Sequence, residues 1–332
     1  MIKTTDASTG DPAAPDPVGT KRPFRFGFTF FGVGARDDFL GRCRRAEESG
    51  YDVALVPDHL GTPAPFPTMV AAADATERLR VGTLVLNNGF WNPHLLAREV
   101  ATADRLTGGR VELGLGSGHM KWEFDAAGIA WEPFAARADR LDRSIEELTA
   151  LFAGNGYDQQ AALRAHYGLE PLLPVQRHGF GGHGPPLLVG GTGDTVLDIA
   201  ARRADIVGIA GAYQVKGEPP GTFRVGTAEQ AAERVAFVRE RAGERFGALE
   251  LNVLVQMVVV TPDRRAAAED LAAKALPYLT AEQILDCPFL LVGTPEQMAG
   301  QLRERRERFG FSYITVHGPY LEAFAPVIEH LR

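Results

Sequence analysis

The sequence predicts an α/β protein built as a (β/α)8 TIM barrel with an insertion after the helix that follows the fourth strand. Three observations carry that expectation. Eight short β-type runs, near positions 24, 53, 81, 111, 187, 205, 250 and 312, alternate with helical segments. Such alternation implies parallel strands joined by right-handed crossovers. The chain has 332 residues, 45% apolar and 23% charged, which is ordinary globular composition and the size of one such barrel. Gly, His, Asp and Asn residues collect where the runs end, and a barrel of this kind carries its chemistry where strands pass into loops. A doubly wound open sheet accommodates the same alternation, but eight units close more naturally as a barrel.

Residues 1–22 are polar, with Pro12, Pro15 and Pro17, and read as a disordered tail ahead of a single domain over 23–332. Phe24, Phe26, Phe28 and Phe30 alternate with Arg25, Gly27 and Thr29, the period of a strand. A helix over 36–49 follows and ends at Gly50, a C-cap position. Val53 to Val56 forms the second strand and ends in Pro57-Asp58-His59. After a Pro-rich loop and a helix to about Arg78, Val81 to Leu86 forms the third, followed by Asn87-Asn88. Pro93 opens the next helix, in the first turn where no N–H is needed; Gly108-Gly109 stops it.

The fourth run, Val111 to Leu115, breaks into alternating Gly114, Gly116 and Gly118, then His119, Trp122 and Glu123. Phe134, Ala138, Leu141, Ile145, Leu148 and Phe152 mark one face of a helix over 131–152. Residues 154–185, rich in Gly, Pro and His, read as an excursion with a short helix near Gln159–His166. Leu187 to Val189 is the fifth strand and opens through Gly190-Gly191-Thr192-Gly193-Asp194 into a helix; Asp205 to Ile209 is the sixth. After a loop over 211–226, Thr227 and Gln230 match a capping box. Leu249 to Val260 reads as one long seventh strand, Ser312 to Val316 as the eighth, and 319–331 as the last helix.

A net charge of −7 argues against broad nucleic-acid or anionic-membrane binding. No apolar run approaches the roughly 18–20 residues of a membrane span, and the start of the chain lacks the apolar core of a signal peptide. Cys43 and Cys287 are far apart with no metal-type spacing. They read as buried thiols in a reducing, cytoplasmic setting.

At the strand ends, Asp58-His59 suits an acid/base or ring-contacting pair, since histidine titrates near neutrality; an N-cap by Asp58 beside an incidental histidine is the plainer alternative. His119 is a second donor candidate or a surface residue. Trp122 and Glu123 either line a pocket or are a core aromatic and an exposed helix-start residue. The turn Gly190–Asp194 offers free N–H groups at a helix start, an anion-binding arrangement. His166, His178 and His183 share a loop, but no carboxylate or cysteine spacing supports a metal, and neither a GxSxG elbow nor an HExxH helix is present.

These motifs, taken together, resemble the luciferase-like monooxygenase superfamily of flavin and F420 oxidoreductases. The resemblance covers about residues 24–318. It rests on Phe26-Gly27, Pro57-Asp58-His59, Gly82-Thr83-Leu84-Val85 with Asn92-Pro93, Arg98-Glu99, the run Gly109 to Gly118, Glu123 with Gly128, Leu188-Val189-Gly190-Gly191, Ala204-Asp205-Ile206-Val207 and Val292-Gly293-Thr294-Pro295-Glu296. It implies a (β/α)8 barrel binding a flavin-type ring at the C-terminal rim. Asp58-His59 resembles the branch that uses the deazaflavin coenzyme F420; FMN, with O2 and a partner reductase, is the alternative.

The implied catalytic residues are Asp58, His59 and His119. The implied cofactor contacts add Thr83, Leu84, Val85, Asn87, Gly116, Gly118, Trp122, Gly190, Gly191, Thr192, Gly193 and Gly211. The resemblance also implies a non-proline cis peptide at Leu84–Val85, a small-molecule or modified-peptide substrate, and a homodimer. Some sugar-phosphate dehydrogenases of the family carry Glu directly after the GxG where this chain has His119. Lys121, Arg177, Lys216 and Arg224 are candidates for a basic rim facing an acidic cofactor tail, and the loops 60–67, 86–93, 154–185 and 211–226 for substrate selection.

Overall fold

A computed structural model of the protein describes residues 22–219 and 221–332. The tail expected over 1–22 therefore lies, except for Arg22, outside the described residues. The first half of the barrel comprises β1 (Arg25–Thr29), α1 (Arg36–Glu48), β2 (Val53–Val56), α2 (Pro65–Asp74), β3 (Arg80–Thr83), β4 (Leu86–Asn87), α3 (Pro93–Leu106) and β5 (Val111–Gly116). Three helices then follow without a strand: α4 (Lys121–Ala127), α5 (Phe134–Ala153) and α6 (Ala161–Tyr167). Next come β6 (Leu187–Gly191), α7 (Asp194–Arg203), β7 (Ile206–Ile209), β8 (Ala212–Gln214), β9 (Phe223–Val225) and α8 (Ala228–Ala242). The chain ends with β10 (Glu250–Val255), β11 (Met257–Val260), α9 (Arg264–Lys274), α10 (Ala281–Asp286), β12 (Leu290–Gly293), α11 (Pro295–Phe309), β13 (Phe311–His317) and α12 (Leu321–Glu329).

The main sheet runs β3-β2-β1-β13-β10-β7-β6-β5-β4 and closes through a β3–β5 pairing. Because β3 and β4 are two pieces of one position, nine segments make eight positions. Every pairing in this sheet is parallel, so the fold is a (β/α)8 barrel. Strand alternation divides the apolar residues between two cores. Val53, Leu55, Leu188, Ile206 and Tyr313 pack on one another inside the barrel, with Leu84 and Val85 resting on them. Ala54 and Val56, their neighbours in β2, point the other way into the larger core against the helices.

Four sequence expectations are corrected. The third run is not one strand: its register goes from Gly82↔Glu112 to Leu86↔Leu115, four steps on one side against three on the other. One extra residue is therefore accommodated between β3 and β4, as in a bulge. The run Leu249–Val260 divides at Gln256, whose N–H bonds to Phe289 O, and β11 leaves the barrel to pair with β12. The loop 211–226 contains the antiparallel hairpin β8–β9. The last barrel strand extends to His317.

The excursion 154–185 follows the outer side of α3. Tyr157 Oη lies 2.8 Å from His94 Nδ1, Arg105 donates to Pro171 O and Leu173 O, and Gln176 Nε2 donates to Asp104 Oδ1 and Val111 O. Val111 begins β5, so the excursion finishes at the N-terminal end of the barrel. Arg177, held there by Pro174 O and Gln176 O, is at the opposite end from the strand-end rim and is removed from the basic rim. Both cysteines are buried. Among the described residues no helix is long and apolar enough to cross a membrane.

The closeness of β5 to β3 sets a testable limit. A Cβ on Gly114 would lie 2.0 Å from Thr83 O, a backbone atom that no rotamer change moves. Gly114→Ala is expected to lower stability by about 3 kcal/mol, the upper part of the overpacking range. Gly41→Ala, in α1 with only the far end of Arg45 nearby, is expected to gain about 0.5–1 kcal/mol. Urea denaturation of both variants measures the difference.

Candidate active site

The floor of the site is where the barrel interior meets the rim. The Leu84–Val85 peptide is cis, as the resemblance implied. Thr83 replaces the missing strand pairing: its hydroxyl donates to Gly114 O and accepts from Gly114 N, both at 2.8 Å. Leu84 and Val85 are then half-buried on top of the interior cluster. Val85 fits there because Gly116 lacks a Cβ, which would lie 2.6 Å from its Cγ2.

One wall comes from the loop after β2. Asp58 is not a helix N-cap. Its Oδ2 accepts from Trp91 Nε1 at 2.9 Å and from Asn87 N at 3.1 Å. Burial pushes its pKa up, against those two hydrogen bonds, which pull it down. His59 Nδ1 lies 3.0 and 3.2 Å from the two oxygens of Glu123, and Leu60 N donates to the same carboxylate at 3.2 Å. A carboxylate accepts only, so the ring proton of neutral His59 sits on Nδ1 and Nε2 carries the free lone pair. Glu123 is 1% exposed, so the exposed helix-start alternative is overturned.

His119 completes the row. Its ring stands perpendicular to that of His59 at 5.5 Å and edge-on to Phe223 of the β8–β9 hairpin at 5.4 Å. The residue as a whole is exposed to solvent. Burial against these neighbours, then the charge of His59, nevertheless pushes its pKa below the ordinary 6.5, with Glu123 opposing. Gly118, at φ +76°, makes the turn between β5 and His119; a Cβ there would lie 2.3 Å from Asn87 Oδ1. Asn87 instead uses that oxygen to cap Gly89 N.

The other wall is the start of α7. Gly193 is its N-cap and offers no side chain, so the first N–H groups have no side-chain acceptor. Gly190, Gly191 and Thr192 are half-buried and Gly193 exposed, with nothing within 4 Å of a Cβ built on Gly193. Gly211 is buried, and a Cβ there would meet Phe289 at 2.2 Å; packing on Phe289 accounts for that glycine. Trp122 is 56% exposed on α4 and is not a core aromatic. Lys121 is paired with Asp125, Lys216 is exposed in the hairpin, and Arg224 stacks over Tyr278 at 5.1 Å.

Sequence reasoning missed three contributors at other strand ends. Thr29 ends β1, Gln256 follows β10, and His317 ends β13. Gln256 Oε1 and Thr29 Oγ1 lie 3.3 and 3.4 Å from the two nitrogens of His317, whose pKa burial lowers. The rule that pointed to His59 and His119 points equally to His317 once the strand is extended by one residue. Around the rim, Phe31, Val33, Leu60, Trp122 and Phe223 expose large apolar surfaces. Two cavities among the described residues lie elsewhere, beside Trp91 and Arg140 and between α9, α10 and α11. The titratable groups His59, Glu123 and His119 converge instead at the rim.

The description "Luciferase-like monooxygenase" belongs to the family model that matches residues 26–287. The chain therefore belongs to the luciferase-like monooxygenase family. Among curated proteins it is 28% identical over 306 residues to an F420-dependent glucose-6-phosphate dehydrogenase of Kribbella flavida, covering 85% of this chain and 88% of that one. A protein of the same name from Amycolatopsis mediterranei is 38% identical over 127 residues, 36% of this chain and 38% of that protein. The fold is that of an F420-dependent secondary alcohol dehydrogenase solved with an F420–acetone adduct (TM-score 0.69, 18% identity, 94% of this chain and 100% of that one). It is shared with an EDTA monooxygenase from Chelativorans sp. BNC1 (TM-score 0.68, 13% identity, 93% and 94%).

The role of Glu123 in holding the wall is measurable. Glu123→Ala leaves His59 Nδ1 and Leu60 N without their acceptor, and is expected to cost about 1–3 kcal/mol. Thermal unfolding tests this; no change would remove Glu123 from the framework.

Proposed function

We propose that the protein is an F420-dependent oxidoreductase. In this reading a hydride passes between the deazaflavin and a C=O, C=C or C=N bond of a small or medium-sized, largely apolar organic substrate. The observation that carries the reading is the row Glu123–His59–His119 standing beside the Leu84–Val85 floor. It unites a flat apolar surface with two imidazoles at the rim where this fold keeps its chemistry. The relatives named above support the choice of F420 over FMN.

The residues fit the cofactor. Leu84 and Val85 offer the ring a half-buried apolar bed, and the uncapped N–H groups at Gly193–Asp194 suit its phosphate. Lys216 and Arg224 lie on the hairpin at the same end, suited to an acidic tail. F420, when bound, supplies two-electron hydride transfer; the protein supplies position and charge. Asp58, pinned by Trp91 and Asn87, fixes the loop that carries His59. Glu123 holds His59 by Nδ1, so Nε2 is turned to other partners. His119 handles the proton. Its depressed pKa leaves it neutral at pH 7, ready to take the proton of a substrate hydroxyl as the carbon loses hydride; in the reverse direction its protonated form returns it. Phe31, Val33, Leu60, Trp122 and Phe223 favour an apolar substrate over a phosphorylated sugar.

Cofactor choice is tested by titrating the purified protein separately with F420 and with FMN. Saturable F420 binding is expected; micromolar FMN binding without F420 binding would sink the proposal. The pH dependence tests the proton carrier. Since burial lowers the pKa of His119, the base form persists below the ordinary value. For substrate oxidation kcat/KM should fall on the acid side, with the midpoint of that limb below the ordinary histidine value. For reduction, which needs the protonated form, kcat/KM should rise as pH falls. His119→Asn is expected to abolish this limb and lower kcat/KM by about 10²–10⁴; an unchanged pH profile would assign the proton to another group.

A further inference from the structure

A cleft on the outer layer, between α9, α10 and α11, holds charge that the rim chemistry does not use. Its lining includes Arg264, Asp286, Gln301, Glu304, Arg305 and Arg308. Its volume is about 220 Å³, below the usual range for organic ligands and suited to a small ion. Arg308 is compensated, donating to Asp286 at 2.6 Å. The other two arginines have no such direct partner. Neither Arg264 nor Arg305 forms an ion pair with a described carboxylate, and Arg264 Nε and Arg305 Nη1 are buried polar atoms without a hydrogen-bond partner.

Arg305 is 4% exposed, and its one side-chain hydrogen bond is a long one, 3.3 Å to Gln301 Oε1. Burial pushes its pKa down to about 10, against Cys287, Glu304 and Asp286, which pull it up, and with Arg264 adding a smaller push down. The guanidinium therefore stays charged at neutral pH in a place that disfavours charge. A buried cation is ordinarily paired. Glu304, the remaining carboxylate of the lining, is exposed and makes no ion pair with any of the three arginines. In the same lining stands Gly300, in mid-α11, where a Cβ would meet nothing within 4 Å. Packing in the folded chain does not call for that glycine.

We propose that this cleft binds a small dianionic oxyanion of the phosphate type, held between Arg264 and Arg305. Two guanidiniums without a direct carboxylate partner line the cleft, each with a buried nitrogen left open, and guanidinium is the side chain best suited to phosphate geometry. The site is independent of the cofactor reading, since none of the rim residues lines it.

The probe is inorganic phosphate, exchanged for chloride at constant ionic strength in the low millimolar range, with thermal unfolding as readout. Wild type is expected to gain about 2–5 °C in Tm, the shift that binding well above Kd produces in a chain of this size. Arg264→Gln, at the less buried of the two arginines, should lose that gain, and so should Gly300→Glu, which places a carboxylate in the cleft. Arg305→Met should lose it too; if that variant does not fold, Arg264→Gln decides. Sulfate should reproduce the phosphate effect and acetate should not. An equal gain in wild type and Arg264→Gln would mark a general salt effect and overturn the site, as would no gain in wild type. An equal response to acetate would overturn the dianion assignment.

Discussion

The double hydrogen bond between the Thr83 hydroxyl and the Gly114 peptide is the constraint on which the rim depends. It joins β3 to β5 where the backbone ladder fails, at the point where one position carries an extra residue. Each bond contributes about 1 kcal/mol net, but their geometric effect is larger. They hold the third strand close enough that the Leu84–Val85 peptide lies across the mouth of the barrel interior rather than outside it. Gly114 permits this approach, and Gly116 leaves room for Val85. The glycines that first suggest close contact with a ligand are therefore explained in part by contact with the protein's own third strand.

A second constraint orders the groups above this floor. The Glu123 carboxylate joins the loop after β2 to the helix after β5 through His59 and Leu60. The Asp58 carboxylate joins the same loop to the end of β4 and to Trp91. A half-buried and a buried acid thus fix one short segment from both sides, and His59 is oriented as a consequence. His119 is held differently, by ring contacts to His59 and Phe223. Phe223 belongs to a hairpin of short, largely exposed strands, so the environment that lowers the His119 pKa depends on where that hairpin lies.

The barrel was legible from the sequence because eight apolar runs separated by amphipathic helices admit few arrangements. What escaped depends on contacts between distant residues. Val253 to Val260 is almost continuously apolar, and only the pairing of Gln256 with Phe289 shows that it serves two sheets. The hairpin within 211–226 lacks an alternating apolar pattern. At the site, Asp58, His59 and His119 stood out because they follow apolar strands. Glu123 looked ambiguous because a glutamate opening a helix is ordinarily exposed; its burial follows from His59, 64 positions away in sequence. His317 was lost through a strand boundary one residue short, and Arg177 was misplaced because nothing local shows that the excursion returns along α3.

In the proposed function a deazaflavin ring lies on the Leu84–Val85 floor beside the His59–His119 row. A crystal structure of the protein soaked with oxidised F420 tests it most directly. The ring is expected over Leu84 and Val85, with one edge toward His59 and His119 and the phosphate at the N–H groups of Gly193 and Asp194. A ring bound away from the floor, or a phosphate bound away from α7 while the ring is ordered, would contradict the assignment.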